Sequence, residues 1–231
     1  MALLMESSRP RIVVFDCDGV LVDSVSSWKT LHDHFGTDND VNLQRFIRGE
    51  ISDVEFMQLD IQLWKSVQKD IHRDDLFRAY AGIKLMPGAR ETISTLREHG
   101  IFIAIVSAGV DIFVQSIAGM LKVDDWIANG LEFDGDGFLT SDGVCRLHAT
   151  KKGLIIEKLL KMNGFEPHEC VSVGDSEMDL SMMVDGSRFI GFFPTRESST
   201  KAFESANVPI VREKDLSGIL PYLGLGSSEG N

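Results

Sequence analysis

RIVVFDCDGVLVDS, residues 11–24, is the stretch on which the reading of this chain turns. A run of β-branched and aromatic residues, Ile12 to Phe15, ends abruptly in two acids one residue apart, Asp16 and Asp18, with Gly19 behind them. Continuous apolar runs of this kind read as strands buried on both faces, the sort found in parallel sheets. Open α/β sheets place their chemistry at the carboxyl ends of such strands. Paired carboxylates at that point are costly unless a cation meets them. A hard divalent cation such as Mg2+ binds through carboxylate oxygens, and a carboxylate can also act as a nucleophile. The plainer alternative is a strand that runs into an ordinary Asp-Gly turn.

Working outward, further strands are predicted at Ile101–Val106, Cys170–Val173, Phe189–Phe192 and Val208–Val211. Helical periodicity lies between them, over residues 88–99, 111–121 and 151–162. Alternating strands and helices predict an α/β fold: a Rossmann-like parallel sheet flanked by helices. Residues 24–84 break the alternation. They carry no strand pattern and read as helices within SWKTLHDHFG, VNLQRFIRG, SDVEFMQLDIQLWKSV and RDDLFRAYAG. The expected organisation is therefore a core of residues 1–23 and 85–231 with a helical cap of residues 24–84. Residues 131–147 read as a small β-hairpin with Asp-Gly turns. Its Asp134-Gly-Asp136-Gly run is no calcium loop, because Phe138 stands at the next ligand position and no closing Glu follows.

Three other segments carry candidate chemistry. Ile101–Val106 leads into Ser107-Ala108-Gly109, a hydroxyl and backbone N–H groups that make either an anion cradle or a simple helix cap. Cys170–Val173 leads into Gly174-Asp175, with Asp179 four residues on; Asp175 is expected at a metal site, at the cap of the next helix, or both. Lys151 and Lys152 open a helix whose apolar face includes Ile155, Ile156, Leu159 and Leu160, and the spacing turns Lys152 inward and leaves Lys151 solvated. A lysine opposes the macrodipole at a helix start, which favours a functional reason for it. His32 and His34 are two apart on a predicted helix, share no face, and are expected at the surface.

The formal net charge of −12 argues against nucleic acid or an anionic membrane as partner, because both need clustered Lys and Arg. Cys17, Cys145 and Cys170 match no zinc spacing and, being odd in number, no disulfide framework, so a reducing cytoplasm is expected. MALLMESSRP lacks the basic region and apolar length of a signal peptide, no apolar run approaches a membrane span, and the small polar tail GSSEGN reads as frayed.

In order, the pieces are FDCDGV, VSAG, KKG and VGDSEMD. This resembles the haloacid dehalogenase-like hydrolase superfamily, in its C1-capped form and nearest its phosphoserine phosphatase-like branch. The resemblance covers the Rossmann-like body. It implies a Mg2+-dependent phosphatase acting on a small phosphorylated metabolite, as a monomer or homodimer. Asp16 would be the nucleophile and Asp18 the general acid/base. Ser107 and the Gly109 N–H would hold phosphoryl oxygens, with Gly19, Ala108 and Arg48 as further substrate contacts. Lys152 would balance charge. Asp16, the carbonyl of Asp18 and Asp175 would hold Mg2+, supported by Asp179. The chain departs from the phosphoserine branch where a glutamate meets the substrate ammonium; here that position is Val25. The cap arginine of that branch has Asp60 near its place, with Arg45 and Arg48 close in sequence. The expected substrate is therefore an amine-free phosphomonoester. The alternatives are phosphoserine phosphatase itself and a non-catalytic phosphate-binding protein on the same fold.

Overall fold

Alternate residues of the first strand, β1 (Ile12–Phe15), serve opposite faces of the sheet, and all of its residues are fully buried. Val13 and Phe15 join one apolar cluster, and Ile12 and Val14 another, the period-two division expected of a strand covered on both sides. This is a computed structural model, and it describes residues 9–226. The amino-terminal MALLMESS and residues 227–231, on which the leader and tail readings fell, lie outside the described residues.

After β1 come four helices, α1 (Ser27–Phe35), α2 (Asp40–Ile47), α3 (Asp53–Val67) and α4 (Arg73–Ala79). The alternating body then runs α5 (Ala89–Glu98), β2 (Phe102–Val110), α6 (Asp111–Leu121), β3 (Asp125–Phe133), β4 (Leu139–Val144), α7 (Gly153–Asn163), β5 (Cys170–Gly174), β6 (Arg188–Phe192), α8 (Glu197–Ser205) and β7 (Ile210–Val211). The seven-stranded sheet has the order β4-β3-β2-β1-β5-β6-β7, parallel except for the β3–β4 hairpin. Ile93 and Leu96 of α5 and Phe113 and Ile117 of α6 cover one face; Ile156 and Leu160 of α7 and Phe203 of α8 cover the other. None of the helices among the described residues is long and apolar enough to cross a membrane.

The structure corrects several expectations. β3 begins six residues before the expected hairpin and pairs with β2 before it meets β4. Its sequence, DWIANGLEF, mixes Asp, Asn and Gly with apolar residues, in keeping with a strand that is only partly buried. β2 does not end at Val106. It continues to Val110 through a register shift between Ser107 and Val110. The helix after Lys151 starts at Gly153, so Lys152 is its N-cap residue. His32 is buried, not superficial. Trp64 Nε1–H donates to its Nδ1 (3.2 Å), and its Nε2 lies 3.2 Å from buried Asp60.

The apolar cluster that contains β1 runs on into the helical segment through Leu31, Phe35, Ile61, Trp64, Leu76 and Tyr80. Trp64 is its centre there, fully buried and in ring contact with Trp28, Phe35 and His32. Truncating so large a buried side chain should cost about 3–5 kcal/mol. Trp64→Ala is therefore expected to lower the unfolding free energy of the chain by that amount and to shift its urea midpoint downward, read from intrinsic fluorescence and circular dichroism together.

Candidate active site

β1 lies between β2 and β5, so the residues that follow these strands are brought together at one edge of the sheet. The Asp16 N–H donates to the Val173 carbonyl (2.9 Å), which carries the β1–β5 ladder one residue past the strand and fixes where Asp16 stands. Lys152 reaches in from the start of α7. Its Nζ donates to Asp16 Oδ1 at 2.8 Å and to Asp179 Oδ1 at 2.6 Å, and both ion pairs are buried. Asp179 is fastened from its other side, where Oδ2 accepts from the Ser176 N–H and hydroxyl. Ser176, and not Asp175, is therefore the cap residue of the short 3-10 helix Glu177–Met182, which leaves the Asp175 side chain for the cluster.

Oxygens of Asp16, Asp175 and Asp179 lie within 4.8 Å of one another. Lys152 is the ammonium paired with this group, and one positive charge does not balance it. Burial pushes Asp16 up from the usual carboxylate range to about 6, with the Asp179 and Asp18 charges adding to the rise and Lys152 opposing it. Burial, then Asp179 and Asp16, push Asp175 up to about 8. Burial pulls Lys152 down, but Asp16 and Asp179 outweigh it and hold the ammonium above its usual range. Converging hard oxygen donors with excess negative charge fit a hard divalent cation.

Asp18 faces elsewhere. Its Oδ2 accepts from the Ser27 N–H (2.9 Å) and the Ser27 hydroxyl (2.8 Å), while Oδ1 is buried and has no partner among the described residues. Burial raises Asp18 above its ordinary value and the two Ser27 bonds oppose that rise. Ser107 is buried nearby, and the Gly109 N–H donates to its Oγ at 3.1 Å. Two glycines permit the crowding. Gly19 has φ +76°, and a Cβ there would lie 2.7 Å from Asp175 Oδ2. A Cβ on Gly109 would lie 2.6 Å from Ser27 Oγ. The Ala108 carbonyl accepts from Trp28 Nε1–H at 2.9 Å.

The sequence-predicted residues Asp16, Asp18, Gly19, Ser107, Ala108, Gly109, Lys152, Asp175 and Asp179 thus meet at the strand ends. Arg48 does not join them by any contact in the structure. It caps the end of α2, is largely exposed, and binds the Gln44 carbonyl and Glu50. Val25 is 76% exposed, and Asp60 is sealed inside the helices, accepting from Asn39 Nδ2 (3.0 Å) beside His32. Sequence reasoning passed over Ser176 and gave Ser27 no contact with Asp18. The pair Ser26-Ser27 marks a helix start, but nothing in it says that the second hydroxyl turns to Asp18.

A family model described as haloacid dehalogenase-like hydrolase matches residues 10–186. The chain belongs to that family. Its curated relatives include a phosphoserine phosphatase of Archaeoglobus fulgidus, 31% identical over 79% of this chain and 52% of that one. The chain thus spans about half of that relative's length. A phosphoserine phosphatase of Methanocaldococcus jannaschii is 28% identical over 93% of this chain and 98% of its own. A solved phospho-aspartyl intermediate analogue of phosphoserine phosphatase is 28% identical, with a TM-score of 0.76 over 93% of this chain and 99% of that chain. A substrate-bound phosphoserine phosphatase complex matches equally well in fold, at 27% identity and a TM-score of 0.76, over the same shares.

Asp16 and Asp175 titrate higher in the folded chain than in the unfolded one. Their contribution to stability is full below the ordinary carboxylate value of about 4 and is lost as pH rises through about 6 and about 8. In EDTA, Asp175→Asn should gain Tm over the wild type progressively between about pH 4 and pH 8. Thermal melts across that range check it, and a difference that does not change with pH contradicts it.

Proposed function

We propose that this chain is a Mg2+-dependent phosphatase that hydrolyses a small-molecule phosphomonoester through an aspartyl-phosphate on Asp16. The observation that carries the reading is the Lys152 ammonium bound to both Asp16 (2.8 Å) and Asp179 (2.6 Å), with Asp175 in the same cluster. Similarity to a phospho-aspartyl intermediate analogue supports it. Asp16, the Asp18 carbonyl and Asp175 would hold the metal, with Asp179 supporting them. When bound, Mg2+ supplies positive charge against the phosphoryl oxygens and the nucleophile.

The chain's own residues divide the remaining work. Asp16 forms the new bond to phosphorus as the bond to the leaving oxygen breaks, and Asp18 gives that oxygen its proton. Asp18 then takes a proton from water, which attacks the aspartyl-phosphate and returns Asp16 with inorganic phosphate released. Ser107 and the backbone N–H groups of Ala108 and Gly109 orient the phosphoryl oxygens, with Gly19 leaving room beside Asp175. Lys152 keeps Asp16 ionised and in place. Residues 24–84 act as a cap over a core of residues 1–23 and 85–231 and supply the contacts that select the leaving group. The setting is a cytoplasmic monomer or homodimer, in keeping with the free thiols of Cys17, Cys145 and Cys170.

An amine-free leaving group is the first reading, because Val25 offers no charge to an ammonium. Phosphoserine is the second, favoured by the phosphoserine phosphatases among the relatives. kcat/KM for phosphoserine beside phosphoglycolate, glycerol phosphates and sugar phosphates separates the two; a tenfold advantage for phosphoserine, about 1.4 kcal/mol, overturns the first. Asp16→Asn should abolish turnover and phosphoenzyme formation. Asp18→Asn should slow turnover by about 10²–10⁴-fold with the fold intact. EDTA should remove activity and Mg2+ restore it. Wild-type turnover by Asp16→Asn rejects the nucleophile assignment.

A further inference from the structure

Ser27 is the first residue of α1 and is fully buried, although it belongs to the helical segment and not to the sheet. Its backbone N–H and its hydroxyl both donate to the same oxygen, Asp18 Oδ2, at 2.9 and 2.8 Å. The hydroxyl is itself oriented, because the Val110 N–H at the end of β2 donates to Ser27 Oγ at 3.0 Å. A backbone N–H can only donate, so the Ser27 hydroxyl accepts there and its own proton is the one offered to Asp18. Asp18 Oδ2 is thereby filled by two donors. Asp18 Oδ1, buried and without a partner among the described residues, is the oxygen left to carry a proton.

We infer that Ser27 is a positioning residue for the proton transfer made by Asp18: it holds Oδ2 with two hydrogen bonds, so that the transferable proton resides on Oδ1, where the leaving oxygen arrives. The inference rests on the acid role proposed for Asp18 and goes beyond it by naming the group that aims the acid. As the bond between phosphorus and the leaving oxygen breaks, the proton passes from Asp18 Oδ1 to that oxygen, and Asp18 is left as a carboxylate whose Oδ2 is already met by both Ser27 donors. The chain accommodates this arrangement at some expense of space. A Cβ on Gly109 would stand 2.6 Å from Ser27 Oγ and 2.8 Å from Asp18 Oδ2, so only glycine lets β2 pass this close. Trp28, next on α1, fastens the same turn to the Ala108 carbonyl (2.9 Å) without touching Asp18.

A poor leaving group needs the proton, whereas p-nitrophenolate departs without it. The test is therefore the ratio of kcat/KM for an alkyl phosphate, glycerol phosphate, to kcat/KM for p-nitrophenyl phosphate. This parameter reports steps through phosphoenzyme formation only, so the later water attack common to both esters does not enter it. Ser27→Ala should lower the ratio by about tenfold or more, part of the 10²–10⁴-fold range of a general acid. Trp28→Phe, which loosens the same turn of α1, should leave the ratio within about threefold of wild type, as expected of an effect that does not pass through the acid. If Ser27→Ala does not fold, Ser27→Cys, a weaker donor of similar size, is read in the same way. An unchanged ratio in the folded Ser27 variant overturns the inference, and so does an equal fall in Trp28→Phe. Asp18→Asn, run in parallel, separates the two levels. If it leaves the ratio unchanged, the acid role itself fails. If it lowers the ratio while the Ser27 variant does not, only the Ser27 assignment fails.

Discussion

A single buried ammonium holds the end of the sheet together. Lys152 Nζ spans Asp16 just past β1 and Asp179 beyond β5, and it does so where both carboxylates are almost out of reach of water. Removing such a partner from a buried pair is strongly destabilising, because it strands charge in a poor dielectric. Here the imbalance persists even with Lys152 in place, since Asp175 sits in the same cluster and is pushed up to about 8. The sheet therefore brings together more negative charge than its own side chains neutralise. That surplus is the physical reason the strand ends suit a cation and a phosphate group arriving together.

Much of this was legible in the sequence because strand ends announce themselves. An apolar run that stops at an acid says which residue stands at the sheet edge, and Asp16 and Asp175 were placed by that pattern alone. The inward turn of Lys152 followed from the apolar face of α7, although the residue proved to be the N-cap and not a member of the helix. What stayed hidden depends on partners distant in sequence. β3 is only partly buried and has a mixed composition, so no apolar run marked it. His32 looked like a polar surface residue, but Trp64 and Asp60, supplied by α3, enclose it. Arg48 read as a cationic substrate contact, and local bonds to Gln44 and Glu50 occupy it instead. The contacts of Ser27 could not be read, because they depend on Asp18 nine residues earlier and on the Val110 N–H at the end of β2.

The helical segment is bound to the body at several separate places. Ser27 and Trp28 hold α1 to the loop regions around Asp18 and Ala108. Gln58 Nε2 donates to Asp142 (3.0 Å) and Lys65 Nζ to the Leu139 carbonyl (2.7 Å), which ties α3 to β4. His148 Nδ1 lies 2.7 Å from Asp53 at the start of α3, just ahead of the turn that delivers Lys152. The hairpin is thus as much a seat for α3 as a part of the sheet.

The shared apolar cluster bears on how such a chain can be recombined. Tyr80, at the end of the helical segment, stacks on Phe113 of α6 with ring centroids 4.6 Å apart, and both belong to the cluster that contains Phe15. The helical segment is not a separable cassette. Removing it would strip Phe113 of its ring partner and leave an apolar face open to water. The helical segment and the sheet beneath it are thus one apolar unit, and a change of packing in either is felt by the other.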